Sequence, residues 1–233
     1  MYLLTGDGTI VVSSNQIVRI PSLESGDRLS RQEFERRYQA MPEVKKAELI
    51  EGVVYVASPL RFNSHAQPHG DIMGWLWTYK IATPTIKLGD NPTVRLDLDN
   101  EVQPDAVLLL AGGRSHLSVD DYIEGAPELV VEVAASSAAN DLHDKKKVYR
   151  RTGVQEYIVW QTFDNKLDWF SLQQGEYVAL APDANGIIQS QVFPGLWLAV
   201  CALLAGNMTQ VLAVLQTGLN STGYQAFVEV LSK

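Results

Sequence analysis

Residues 103–110 read QPDAVLLL, and residues 127–161 read PELVVEVAASSAANDLHDKKKVYRRTGVQEYIVWQ. Two apolar strands each hold one acid: Asp105 opens the first and Glu132 lies inside the second. A carboxylate in an apolar strand is costly to bury unless something pairs with it. Two on consecutive strands point to a cation between them. The nearly continuous apolar run Leu129–Val133 suits a strand covered on both faces. Its alternation puts Glu132 on the side of Val130, opposite Leu129, Val131 and Val133. A basic helix over about residues 139–152 follows, ended by Gly153, and then another buried strand, Glu156–Gln161. Projected at about 100° per residue, Leu142, Lys145, Val148 and Tyr149 share the inward face. Lys146 stands at its edge, while Lys147 and Arg151 point away. Lys145 reads either as a lysine whose stem snorkels over the core or as one aimed at the acids of the preceding strand.

Working outward, Ser30 followed by Glu33 is a capping-box pattern. Phe34, Tyr38 and Met41 then fall at helical spacing, which predicts a helix over 30–40 with Arg31, Arg36 and Arg37 outward. That charged side reads as a solvated face, with a phosphate-facing patch as the sharper alternative. Gly52 separates AELIE from the strand Val53–Ala57, and locally Glu48 and Glu51 both read as surface acids. Pro68 starts a helix over about 68–81 whose Ile72, Trp75, Leu76 and Tyr79 form a core face. His65 and His69 precede and open it. With no HExxH and no cysteine cluster, they do not make a zinc motif. Residues 92–104 read as a hairpin turning at Asp99–Asn100. Strands are expected at 166–172 and 176–180, with edge strands at 187–193 and 196–200. Two helices are expected at 208–217 and 223–231. Residues 1–26 read as an N-terminal arm or hairpin, with strands near Ile10–Val12 and Gln16–Ile20.

Composition is that of an ordinary globular chain: 233 residues, 46% hydrophobic and 20% charged. Net charge is −8 and the sequence pI about 5.0, which argues against a protein coated in basic surface for nucleic acid. A local basic groove is still open, because Lys145, Lys146, Lys147, Arg150 and Arg151 cluster while only Lys166 and Lys233 are basic beyond residue 152. The lone cysteine, Cys201, excludes an internal disulfide and reads as a small buried hydrophobe. No secretory signal pattern or membrane-length apolar run is present, so the expectation is a cytoplasmic protein. The organisation expected is an arm at 1–29, a main domain at 30–200, and a C-terminal helical extension at 201–233. That extension would pack on the domain or form a dimer surface.

Two carboxylates suit a hard cation such as Mg²⁺, which keeps several waters and leans on substrate phosphate. The carbonyl of Val133 is a natural extra ligand. A nearby lysine would supply positive charge to an attacked phosphorus, so acid, acid and lysine form a coherent phosphodiesterase site. Here a resemblance enters. Glu48-Leu49-Ile50-Glu51-Gly52, Gln103-Pro104-Asp105 and Pro127-Glu128-Leu129-Val130-Val131-Glu132-Val133 stand in order. Asp141-Leu142-His143-Asp144-Lys145 with Tyr149, and Gly153-Val154-Gln155-Glu156-Tyr157, complete the set. Together, over roughly residues 30–200, these resemble the Uma-type restriction endonuclease family of the PD-(D/E)XK nuclease superfamily.

The resemblance implies an α/β (α+β) restriction-endonuclease-like fold, a central mixed sheet flanked by helices, and an Mg²⁺- or Mn²⁺-dependent endonuclease acting on DNA as a homodimer. It implies Asp105 and Glu132 as metal carboxylates, Glu48 as an acid brought from an early helix, and Lys145 as a relocated lysine. The superfamily's usual lysine position is Ala134. His65, Lys146 and Gln161 are further candidates for substrate contact. Two other readings stay open at this point: a nuclease-fold protein that binds or assembles without turnover, and a hydrolase of small phosphoesters. The discriminating question is whether Glu48, Asp105, Glu132 and Lys145 converge on one cleft.

Overall fold

The computed structural model describes residues 20–135 and 141–232. The strands expected near Ile10–Val12 and Gln16–Ile20, and the first residues of the expected basic helix, fall outside that range or at its edge. Helix α1 (Arg31–Gln39) opens with Ser30 Oγ accepting from the Glu33 backbone N–H. The box is half formed, because the Glu33 carboxylate turns to Arg36 and Arg37 instead. Strands β1 (Ala47–Ile50) and β2 (Val53–Val56) make a hairpin through Glu51 and Gly52. Both turn residues have positive φ, 51° and 72°, as a two-residue turn with the twist of its strands requires. A π-helical turn (Phe62–Ala66) leads into helix α2 (Gln67–Ala82), which buries Ile72, Trp75, Leu76 and Tyr79.

Strand β3 (Lys87–Asp90) is followed by the short hairpin of β4 (Val94–Arg95) and β5 (Glu101–Val102). The hairpin expected over 92–104 is present but pairs over fewer residues. Strand β6 (Ala106–Leu109), two short strands β7 (His116–Leu117) and β8 (Ile123–Glu124), and β9 (Leu129–Ala134) come next. A second π-helical turn (Asp141–Lys145) opens helix α3 (Lys146–Thr152), which Gly153 ends in the left-handed region. Then come β10 (Glu156–Gln161), β11 (Lys166–Gln173) and β12 (Glu176–Ala179). Strands β13 (Ile187–Gln189) and β14 (Trp197–Ala199) precede helices α4 (Val200–Leu204), α5 (Met208–Leu219) and α6 (Thr222–Leu231).

There is not one central sheet but two six-stranded ones. The first runs β2-β1-β5-β4-β8-β7 and the second β12-β11-β10-β9-β6-β3. Both are mixed: β9 and β10 pair in parallel, as do β4 and β8, among antiparallel neighbours. The expected edge strands β13 and β14 instead pair with each other as a separate ribbon.

Strand β9 is covered on both faces, as its apolar run requires. Leu129, Val131 and Val133 pack in a core with α2 and α5, while Val130 and Ala134 pack in another that includes Ile50, Val94, Val148 and Tyr149. That second core lies between the two sheets and under α3. Glu132 shares the face of Val130, so it points between the sheets. Cys201, expected to be buried, is exposed. Among the described residues no helix is long and apolar enough to cross a membrane.

Candidate active site

The chain passes from the first sheet to the second through residues 103–105, and this crossing positions the site. Gln103 donates its backbone N–H to Glu48 Oε1 at 2.8 Å, and Val133 donates its own to Asp105 Oδ2 at 2.7 Å. Asp105 is thus fixed against β9 by a charge-assisted bond, with its other oxygen facing the space between the sheets. Strand alternation puts Lys46, Glu48 and Ile50 on one side of β1, and all three line that space. Glu132 enters it from β9, and Asp141 and Lys145 from the π-helical turn before α3. The result is a cleft of about 560 Å³ that also takes in His65 and Val133.

At its floor the Lys145 ammonium lies 2.9 Å from Glu48 Oε1, 2.9 Å from Glu132 Oε1 and 3.5 Å from Asp141 Oδ1. The Tyr149 hydroxyl donates to the same Glu132 oxygen at 2.9 Å. Both hydrogen bonds to Glu132 therefore go to Oε1, which leaves Oε2 for a cation. Glu132 is 3% exposed and Lys145 4%. Burial pushes the Glu132 carboxyl up to about 8 against the opposing pull of Lys145, and the neighbouring acids Asp141, Asp105 and Glu48 add to the rise. Burial alone would lower the Lys145 ammonium, but Glu132, Glu48 and Asp141 outweigh it and hold the lysine well above its ordinary value.

Nearer the mouth, Lys46 Nζ lies 3.4 Å and His65 Nε2 3.5 Å from Asp105 Oδ1. His65 Nδ1 is 2.9 Å from the Val133 carbonyl oxygen. A carbonyl only accepts, so Nδ1 carries a proton and Nε2 is the ring atom turned to Asp105. The Val133 carbonyl, expected as a metal ligand, therefore already accepts one hydrogen bond and keeps one lone pair.

The inner cluster holds four carboxylates (Glu48, Asp105, Glu132, Asp141) against two lysines (Lys46, Lys145). With all four ionised, the acids exceed the lysines by two charges; burial first, and then the neighbouring acids, raise the Glu132 carboxyl in that setting. A divalent cation would balance that charge. Among the described residues no group of three or more His, Cys, Asp or Glu is arranged as a metal cage. A hard ion here would have to be held by the carboxylates of Asp105 and Glu132 and take its remaining ligands from water and substrate.

The structure brings Glu48, Asp105, Glu132, Val133, Lys145 and His65 together. Glu48 is nearly buried rather than a surface acid, and it comes from strand β1 rather than a helix. The other two candidates lie elsewhere. Lys146 turns away and sits 3.5 Å from the Phe170 ring centroid, a cation–π contact. Gln161 is buried at the end of β10, donating to Asp168 Oδ2 on β11 at 2.6 Å. The wide π-helical turn explains Lys146: it aims both Asp141 and Lys145 inward and carries the next residue past the cleft.

Two cleft residues were missed. Lys46 had a readable signal, since it stands two residues before Glu48 in a strand. Asp141 stands four before Lys145, a spacing that places both on one helical side. In the basic stretch 145–151, where the sequence leaves a groove open, both arginines are paired with acids: Arg150 with Glu176, and Arg151 with Glu51 and Asp97. The arginines of α1 are likewise paired with Glu33, Glu35 and Asp27.

No curated protein matches the chain. Among solved structures, the crystal structure of a “putative nuclease belonging to DUF820” from Anabaena variabilis ATCC 29413 is similar, with a TM-score of 0.52 and 12% identity. The match covers 77% of this chain and 97% of that one, and at such identity the likeness is one of fold. The Uma2 family model matches residues 31–201, the span that holds every strand of both sheets and every residue of the cleft. The chain belongs to this family, described as “Putative restriction endonuclease”.

Proposed function

We propose that the protein is a metal-dependent endonuclease hydrolysing phosphodiester bonds in DNA. The observation that carries this reading is the excess of buried carboxylate over lysine in a cleft open to solvent, where Glu132 keeps both its hydrogen bonds on Oε1 and Asp105 turns Oδ1 toward the cleft beside Lys46. Mg²⁺ or Mn²⁺ held there would stabilise charge developing on the phosphate and favour ionisation of water. Glu48, Asp141 and the Tyr149 hydroxyl hold Lys145 and Glu132 in place. Lys145 is fully engaged by three acids, so it acts as their counter-ion and fixes the Glu132 rotamer. Lys46 is the more open lysine and the better placed to meet a non-bridging phosphate oxygen. His65, tied through Nδ1 to the Val133 carbonyl, turns Nε2 toward Asp105.

Nicking of supercoiled plasmid at low salt, where phosphate contacts are strongest, tests the reading. Cleavage should need Mg²⁺ or Mn²⁺ and vanish in Glu132→Gln. Metal-independent cleavage, or unchanged cleavage by the variant, would overturn it. One observation favours the alternative of a nuclease-fold protein that binds nucleic acid without turnover: Ala134 stands at the superfamily's lysine position, and Lys145 is buried in ion pairs. That alternative predicts binding without nicking. Cutting both strands of a duplex would need two copies, which sedimentation checks.

A further inference from the structure

The cleft has two unlike walls. One carries the carboxylates and lysines. The other is apolar: Tyr55, Ala57 and Pro59 from β2 and the loop after it, with Leu60 and Phe163 at the mouth. Leu60 and Phe163 are each 64% exposed, and the neighbouring Phe62 is 68% exposed. Exposed large apolar side chains gathered at a cleft mouth mark a binding surface rather than a folding requirement. The loops bearing them are joined, because the Thr162 hydroxyl donates to the Ser64 carbonyl at 2.7 Å. Phe163 follows Thr162 directly, and Phe62 and Ser64 share one π-helical turn. Between them Arg61 lines the cleft with no ion pair among the described residues.

Most arginines of α1 and α3 are taken up by acids of the same chain, and the net charge is −8. A base in a duplex has its faces stacked and out of reach of an apolar wall, whereas an unpaired base presents a face to any aromatic side chain.

We propose that Leu60, Phe62 and Phe163 form a stacking platform for an unpaired base, with Arg61 on its phosphate, so that the cleft takes single-stranded or locally unpaired nucleic acid. This rests on the nuclease reading above and names the form of its substrate. The base sits against the apolar wall while the adjoining phosphate reaches the acids, and one strand needs only one copy of the site.

The test is fluorescence anisotropy with a labelled single-stranded oligodeoxynucleotide, an RNA of the same sequence and a blunt duplex of equal length. It is run in Ca²⁺ at low salt on the wild type and on Leu60→Ala/Phe163→Ala. Both side chains are exposed, so the variant should fold, and circular dichroism verifies it. The single strand should bind at least about ten-fold tighter than the duplex, and the variant should lose about ten-fold or more on the single strand alone, since base–aromatic stacking contributes on that order. Tight binding of either DNA or RNA single strand supports the platform, because every base has a π-face. Equal affinity for duplex and single strand, or an unchanged variant, overturns the inference. So does a wild-type dimer that the variant converts to monomer, which would make the patch a self-association surface. Duplex bound and cut while single strands are ignored overturns this inference but leaves the nuclease reading standing; no binding to any nucleic acid overturns both.

Discussion

Glu132 and Glu156 stand on neighbouring parallel strands of one sheet, both buried in apolar runs, and they face opposite ways. Glu156 points into the core beneath α2. Its Oε1 accepts from the backbone N–H of Gln191 at 2.6 Å and of Val192 at 3.3 Å. Its Oε2 accepts from the Ser190 hydroxyl at 2.7 Å and Trp169 Nε1 at 3.3 Å. Burial raises its carboxyl, and these neutral donors pull it back. Glu128 is held the same way, by the backbone N–H groups of Leu110 and Arg114. Glu132 has no such shell. Its partners are a lysine and a tyrosine on one oxygen, three more acids stand near it, and a cleft opens beside it. An acid in an apolar strand is therefore no signature by itself. A satisfied one ties loops to the sheet, and one left in excess negative charge is available to chemistry.

The largest effect expected in this comparison comes from removing the counter-ion. Lys145→Met leaves Glu132, Glu48 and Asp141 buried without their shared cation and should cost about 3–5 kcal/mol in urea denaturation of the metal-free protein. Adding Glu132→Gln should return part of that loss. A Lys145→Met protein as stable as wild type would show that the lysine does not neutralise the cluster.

Next in size is Glu156→Gln. An amide cannot accept at both ends, so one donor pair is left unmatched at a cost of about 1–3 kcal/mol, with cleavage per folded molecule unchanged. Glu132→Gln should do the reverse: a smaller loss of stability, since the amide oxygen still accepts from Lys145, and loss of cleavage. If both variants lost activity equally, the distinction between the two acids would fail.

A smaller effect lies in the pH dependence of stability. Glu101, packed beside Glu35 and Arg95, is pushed up by burial and then by Glu35, against Arg95, to about 8 from an ordinary 4.5. Between those values the folded state holds a proton that the unfolded chain has released, so stability falls as pH rises from about 4.5 to about 8. Glu101→Gln removes that proton exchange and should flatten the fall in thermal midpoint over the same window. An unchanged slope would mean that Glu101 is ionised throughout.

Much of the site was legible because its signals are local. The alternation in Leu129–Ala134 put Glu132 on the right side of its strand, and helical projection put Lys145 inward with Val148 and Tyr149. What was not legible depends on partners distant in sequence. AELIEG reads as a surface turn until β1 is placed opposite β9, and only that arrangement buries Glu48 and turns Lys46 into the cleft. Two sheets were read as one because the short strands β4, β5, β7 and β8 carry too few residues for a period. Gln161 follows the alternation onto the cleft side of β10, yet Asp168 on the neighbouring strand captures its amide. Cys201 was read from residue type alone, and its helix leaves it in solvent.

The most direct measurement is calorimetric titration of Mn²⁺ and Mg²⁺ into the wild type, into Asp105→Asn/Glu132→Gln and into Glu156→Gln. The account predicts binding to the wild type, undiminished binding to Glu156→Gln, and loss in the double variant. Binding that survives the double variant, or no binding by the wild type at millimolar metal with a single-stranded oligonucleotide present, would contradict it.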